Sequence, residues 1–485
     1  PYAYYGNNRI TRVVLPEGLK EIGAFAFYGC TRLCEVVVPD SVERIGNSAF
    51  ERCCCLITVS SLAEEVGERA FACNEMLRMV SLPQIKKLPK ELFFNCVSLE
   101  TIEIKKAEQL GEGCLKGCVK LDKISIQAAE IKEEAFADCE TLSEVIFLSE
   151  VQIAAKAFLD CCSLKRVVFV NSAVTLDSSA FWGSTFLEEI QIADQTYRIS
   201  NYQDLFREEL PELVRRVYAS GIGCFFFQSP KTILEYQTDA KAVRIPDGIV
   251  SVLGEVFKNC IQLERIEIPE SVTYIGERAF CETRWLRRKK EEEPLVICNQ
   301  ILLDGSSASG RVVIPEEVRI ISGWAFSNCY GLQELVLCNP QLVIEPHAFR
   351  NCIYLKRVID VDGTVYPMDE ISVRKKKGLP SKIKQIFEDA LNCYKIDSAG
   401  VLVECTGNIT NFALVKGITA IGDQVFQNSN LLTYAQFTKD VEWIGERAFA
   451  GCKWLKSVGH AEGVKEIKEM AFFDCIRLER VPFSN

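Results

Sequence analysis

Residues 22–30 read IGAFAFYGC, and the phrase returns as IGNSAFERC at 45–53, VGERAFACN at 66–74, IGERAFCET at 275–283 and IGERAFAGC at 444–452. The phenylalanine of each AF pair serves as a ruler. It gives Phe27, Phe50, Phe71, Phe93, Leu115 in the same slot, then Phe136, Phe158 and Phe181, at steps of 21 to 23 residues. Three residues after each ruler position stands Cys30, Cys53, Asn74, Cys96, Cys118, Cys139, Cys161 or Ser184, and three later always a leucine. The remainder of the unit is equally regular, since LCEVVVPDSVERIG at 33–46 and LERIEIPESVTYIG at 263–276 share their apolar positions one for one. A unit this short cannot bury its own apolar face and must stack on its neighbours. The expected fold is a β-rich leucine-rich solenoid of short parallel strands wound in a right-handed coil.

Within a unit, Val36 in, Val37 out and Val38 in describe a short strand, which prolines such as Pro16, Pro39 and Pro269 would end. Gly23, Gly46, Gly67 and Gly276 mark the turn before the AF pair, where a bend or a left-handed residue is expected. About 15 to 17 such coils would run roughly 70 to 80 Å at the spacing of a parallel sheet.

The ruler is lost twice, between Phe181 and Phe257 and between Phe349 and Phe426. These gaps are themselves repeated: Leu210-Pro211 matches Leu379-Pro380, and GIVSVLGEVF from Gly248 matches GITAIGDQVF from Gly417, both at an offset of 169 residues. Each gap carries a helix candidate. After Pro380, Ile383, Ile386, Phe387, Ala390 and Leu391 share one helical face; after Pro211, Leu213, Val214 and Val217 form a shorter version ending near Gly221. The expected organisation is repeats over 1–198, a helix-containing insert at 199–236, repeats over 237–361 with one degenerate coil near 287–312, a second insert at 362–400, and repeats over 401–485, all in one continuous solenoid. Within the degenerate coil, strands are expected at 295–298 and 312–314. The last coil has no polar cap, so an edge contact with a partner or with further chain is expected there.

Hydrophobic residues make up 48% and charged residues 25% of the 485, values of a soluble chain, and no apolar run approaches the roughly 20 residues of a membrane span. The formal net charge of −10 argues against a nucleic-acid partner. The opening PYAYYGNNRI shows neither the basic start nor the apolar stretch of a secretory signal.

An odd count of 23 cysteines excludes complete internal pairing. Most occupy the slot after the ruler, which also accepts Asn74, Ser184, Thr283 and Ser429. That slot therefore asks for a small residue able to bond the turn backbone, and a buried, reduced cysteine ladder is expected. Pairs such as Cys30 with Cys34 and Cys114 with Cys118 lack a second pair nearby, so no metal and no cofactor are expected. His347 occupies the turn slot of Arg69, Arg278 and Arg447 and should be solvated; His460 has no evident partner. No nucleophile-elbow, Walker, zincin or dinucleotide motif is present, and no catalytic residue is assigned. The basic runs 287–290 and 374–377 are read as solvated loops. What remains is the outward lane of the strands. Its candidate binding residues are Glu35, Val37, Glu144, Arg166, Val168, Arg265, Glu267, Glu334 and Arg357, with Ile146, Val336 and Ile359 beside them.

The repeated phrase IGxxAFxxCxxLxxVxxP resembles the BspA-like, or treponemal, class of leucine-rich repeats of bacterial and protist surface proteins. That resemblance implies a curved solenoid with little helix and a role in adhesion or recognition of a protein or glycan, without catalysis. It places the chain at the cell surface, whereas the abundant thiols fit a reducing compartment and an intracellular scaffold.

Overall fold

A computed structural model describes residues 1–199, 201–368, 378–391, 394–405 and 411–481. The chain forms two compact units, one of Pro1–Val272 with Phe280–Trp285, the other of Thr273–Ala279 with Leu286–Asn485. Both are parallel β-solenoids.

Each coil contributes two strands. The first is the expected one: Glu35–Val37 pairs in parallel with Arg12–Val14, and Lys123–Ile126, Glu144–Phe147, Arg166–Phe169 and Glu189–Ile192 follow one another in strict register. Val36 is buried and Val37 exposed, as the alternation requires, while Val38 is only half-buried. The second strand is a pair of residues inside the IG phrase, such as Glu21–Ile22, Arg44–Ile45 and Glu65–Val66, and these stack into a second parallel sheet. Two residues are too few to show a period, so this strand left no mark in the sequence.

The ruler rings form the core. Phe27 stacks on Phe50 at 5.1 Å between centroids, Phe136 on Phe158 and Phe158 on Phe181 at 4.9 Å, and in the second unit Phe326 on Phe349 and Phe426 on Phe449 at 4.9 Å. These distances match the repeat between strands of a sheet, so successive coils deliver their rings to offset stacks, which Leu115 interrupts between Phe93 and Phe136. Burying each ring contributes about 2 to 3 kcal/mol.

The turn carrying the ring has two left-handed residues, two before and two after the ruler. Around Phe50 they are Ser48 at φ 51° and Arg52 at φ 60°; around Phe136, Glu134 at 55° and Asp138 at 59°; around Phe349, His347 at 64° and Asn351 at 61°. The glycines of the IG phrase are not among them. Their reason is close approach: a Cβ on Gly46 would lie 2.4 Å from the Ala24 backbone nitrogen, and one on Gly67 at 2.4 Å from that of Asn47.

Helices α1 (Glu212–Gly221), α2 (Arg284–Glu292) and α3 (Ser381–Ala390) interrupt the repeats. The expected apolar faces of α1 and α3 are buried, through Val214 and Val217 in one and Ile383, Ile386, Phe387 and Ala390 in the other. Pro211 and Pro380 stand at the N-cap in extended conformation.

These two helices end their stacks chemically as well as sterically. In a regular coil the ruler amide donates to the next coil, as Phe27 does to the Ala49 carbonyl at 2.8 Å and Phe158 to Ala180 at 2.7 Å. Phe181 has no such coil to follow it, and its amide donates to Ser220 Oγ of α1 at 2.9 Å. The Asp389 carboxylate of α3 faces the amides of His347 and Phe349, which favour its charged form against the burial that raises its pKa, and Asp389 is Ser220 displaced by the 169-residue offset. Likewise Arg216 of α1 donates to the Leu176 carbonyl, and Gln385, again 169 residues on, to Ile344 and Glu345 at 2.9 and 3.0 Å. Each helix thus supplies the polar groups that a further coil would have supplied.

The expected degenerate coil near 287–312 is a third insert. Residues 287–290 lie in α2, not in a loop, with Lys289 and Arg288 paired to Glu292 at 3.0 and 3.7 Å. Three hairpins follow the three helices: Phe225–Ser229 with Thr232–Tyr236, Val296–Cys298 with Ile301–Asp304, and Tyr394–Ile396 with Val401–Cys405. The second strand of each joins a short strand of the next coil in parallel, at Ser251–Val252, Ile320–Ile321 and Ala420–Ile421. The strand expected at 312–314 is longer, Gly310–Ile314. The run 374–377 lies outside the described residues.

Candidate binding grooves beside the return strands

Both blocks of long strands end in a reversal. After Glu189–Ile192 the chain turns back as Gln195–Arg198, and after Arg357–Ile359 as Val365–Pro367, each antiparallel to the strand before it. Parallel stacking puts the residue before each inward valine in one row across the sheet. In the first unit that row is Lys123, Glu144, Arg166, Glu189 and, on the return strand, Arg198. Its signs alternate, and neighbours pair: Lys123 with Glu144 at 3.4 Å, Arg166 with Glu144 at 2.6 Å and Glu189 at 2.7 Å, Arg198 with Glu189 at 3.7 Å. In the second unit the row is Arg311, Glu334, Arg357 and Pro367, with Glu334 bonded to both arginines, to Arg311 at 3.1 Å. The matching strands of the two units carry opposite charge.

A groove of about 530 Å³ lies over each row beside its return strand. In the first unit it is lined by Lys165, Arg166, Glu188, Glu189, Arg198 and Ile199. In the second, of the same volume, Arg311, Glu334, Lys356 and Arg357 share the lining with Val365 and Pro367. A further depression of about 550 Å³ on the first unit's short-strand sheet is floored by charges that pair off, Lys86 with Glu64 and Lys90 with Glu112, each at 2.8 Å.

Of the nine lane residues, Arg166, Glu334 and Arg357 line these grooves and Glu144 supports Arg166. Glu35 is paired with Arg12 at 3.0 Å, Glu267 with Arg244 at 3.9 Å, and the Arg265 guanidinium lies 4.8 Å from the centre of the Phe186 ring. Val37 is exposed. Two residues correct the outward reading. Val168 is only 6% exposed, because Arg166 reaches its cross-strand neighbour Gln191 at 2.5 Å and spans it. Glu334 is 7% exposed, enclosed by its two arginines. Lys165, Glu188, Arg198, Arg311 and Lys356 were missed. Return strands three and four residues long leave no pattern that would have directed attention to them.

The remaining chemistry is structural. The ladder thiols donate to the ruler carbonyl one coil back, Cys53 to Phe27 at 3.2 Å, Cys96 to Phe71 at 3.0 Å and Cys352 to Phe326 at 3.0 Å, and Ser184 repeats the bond to Phe158 at 3.0 Å. Burial pushes the Cys96 and Cys114 thiols up to about 12, which suppresses the reactive thiolate. All cysteines among the described residues are free, and no described group of three or more His, Cys, Asp or Glu could hold a metal ion. His347 is not solvated as expected: it is half-buried with its ring 5.6 Å from Trp324, and its Nδ1 is buried without a partner among the described residues. His460 is exposed.

The profile of the BspA-type leucine-rich repeat region matches residues 1–122, 108–206, 231–356 and 401–485. The chain belongs to the BspA-type leucine-rich repeat family. Similar solved structures include a leucine-rich repeat protein from Bacteroides ovatus ATCC 8483, at 19% identity over 97% of this chain and 86% of that one, with a TM-score of 0.24. A leucine-rich cell surface protein from Faecalibacterium prausnitzii A2-165 matches at 18% identity over 93% and 88%, TM-score 0.20. A leucine-rich repeat protein of T. pallidum matches at 29% identity over 25% of this chain and 69% of its own, TM-score 0.22. No curated protein matches the chain. BspA-type repeats are typical of protein-interaction and adhesion scaffolds and are generally non-enzymatic. No described helix is long and apolar enough to cross a membrane.

Proposed function

We propose that the chain is a non-catalytic binding scaffold that recognises a protein or glycan through the long-strand faces of its solenoids, as an adhesion module at a bacterial surface. The observation that carries this reading is the pair of grooves, equal in volume and built from corresponding strands in the two units. Their walls are fixed by parallel pairing and by cross-strand ion pairs, so the binding geometry exists before a ligand arrives. The test is capture of purified surface proteins and arrayed glycans by the wild-type chain and by the double variant Lys165→Glu, Lys356→Glu. Both lysines are exposed at groove rims, and the variant should lose capture while keeping its fold by circular dichroism. Equal capture by both chains would remove the grooves from consideration.

The free thiols favour a second reading, an intracellular interaction scaffold. Thiol titration of the denatured chain, purified from its native source without reductant, separates the two. All 23 cysteines reacting supports the intracellular scaffold, and disulfides among the surface thiols support export.

A further inference from the structure

We propose that the groove of the second unit binds an acidic segment of a partner protein in which a glutamate or aspartate is followed two residues on by a β-branched or aliphatic residue. This rests on the scaffold reading and names the ligand of one of its two grooves.

The argument begins with what Glu334 consumes. Its side chain is 9% exposed, while those of Arg311 and Arg357 are 64% and 58% exposed. Glu334 takes the Nε of Arg311 and the Nε and Nη2 of Arg357. Both Nη groups of Arg311 and the Nη1 of Arg357 remain, on side chains that are more than half exposed. Lys356, also on the lining, has no carboxylate partner among the described residues. One buried carboxylate therefore faces three cations, and the groove keeps a surplus of positive charge in a chain whose net charge is −10. Guanidinium edges of this kind match carboxylate oxygens.

The second observation is an apolar row beside the charged one. Val313, Val336, Ile359 and Val365 lie in register across the same four strands, two residues along from Arg311, Glu334, Arg357 and Pro367. Val313 is 46% and Val365 53% exposed at the two ends of the row. Two residues along a strand is about 7 Å, the repeat of same-side residues in an extended peptide. A segment laid over these rows would set carboxylates on the arginines and apolar side chains on the valines. Sugars are held by flat aromatic faces and dense hydrogen bonding, and no aromatic ring lines this groove.

The first unit supplies the contrast. Its row alternates in sign, Arg166 is committed to Glu144, Glu189 and Gln191, and Val168 in its apolar row is covered. The same architecture there lacks both features.

The experiment uses the full chain and fluorescence anisotropy with a labelled heptapeptide that carries glutamate and valine two residues apart with serine between them. Controls replace glutamate by lysine or valine by serine, and unlabelled polygalacturonate serves as an anionic glycan competitor. Saturable binding of the glutamate–valine peptide is expected, with none for the lysine peptide and weaker binding for the serine peptide. Lys356→Glu should weaken binding about tenfold, the loss expected for one reversed charge contact, and Lys231→Glu, at an exposed turn outside both grooves, should leave it unchanged. No effect of Lys356→Glu, equal effects of the two variants, or equal binding of the serine peptide overturns the proposal. Tighter binding of polygalacturonate than of the peptide overturns it too, yet leaves a glycan scaffold standing.

Discussion

Asp160 shows how a single slot of the coil can set a pH dependence. It occupies the left-handed position two residues after Phe158, at φ 53°, where the corresponding residues are Asn95, Asn328 and Asn351. Burial pushes its carboxyl up to about 7; Asp138 and Asp239 push the same way, while a bond from Thr238 and the charge of Lys116 oppose them. The unfolded chain ionises this group near 4. Between about 4 and 7 the native state holds a proton that the unfolded state has released, so stability falls as pH rises through that window, by about 1.4 kcal/mol per unit of elevation. Asp160→Asn keeps the left-handed preference and removes the charge. Urea denaturation should find the variant more stable than wild type at pH 8 by a few kcal/mol and no more stable at pH 4, whereas an equal difference at both pH values would assign the effect to packing. The slot two residues after the ruler was legible in principle, because glycine, asparagine and aspartate recur there, although the left-handed residue was expected at the glycines before the AF pair. Its counterpart two residues before the ruler was not. That position is equally left-handed, yet it holds Phe25, Arg69, Glu91 and Lys156, residues without any local preference for that conformation.

Among the elements, α1 and α3 were visible in advance because their apolar residues repeat with the helical period after a proline. Their capping bonds were not, since nothing local to Ser220 or Asp389 announces a partner some 40 residues back in the chain. Helix α2 was invisible for a different reason: the sequence RWLRRKKEE has no apolar stripe, and Trp285, packed on Phe280 at 4.9 Å, is its one buried residue. Ser220→Ala leaves the Phe181 amide buried without an acceptor, a loss of about 1 to 3 kcal/mol. Hydrogen exchange should show the Phe181 amide losing protection with its neighbours in the last coil, while amides near Phe27 and Phe50 are unaffected. Uniform loss across the first unit would mean that α1 stabilises the whole stack and not its end.

At the scale of the whole molecule, the legible part was the repeat itself, because successive coils fill the same three buried slots with a large apolar residue, a small residue that bonds the turn and a leucine. The 169-residue duplication was legible too, but the exchange of charge between its copies appears only when the register of the strands is known. Stability in such an array is a sum of coil and nearest-neighbour contributions. Phe158→Ala removes a ring stacked on both Phe136 and Phe181 and should cost about 3 to 5 kcal/mol. Denaturation of this variant should broaden into more than one step, with exchange fastest in the coils on either side of the vacancy; a single sharp transition at lower denaturant would show the first unit to be more cooperative than a nearest-neighbour stack.

The alternating row from Lys123 to Arg198 also limits how this architecture can lengthen. A lone extra turn bearing an acid or a base there would abut its own sign on one side, and two added together would not. Growth and shrinkage of that stretch are therefore held to even steps unless the newcomer is neutral, a parity rule written in electrostatics and open to inspection in any sibling of different length.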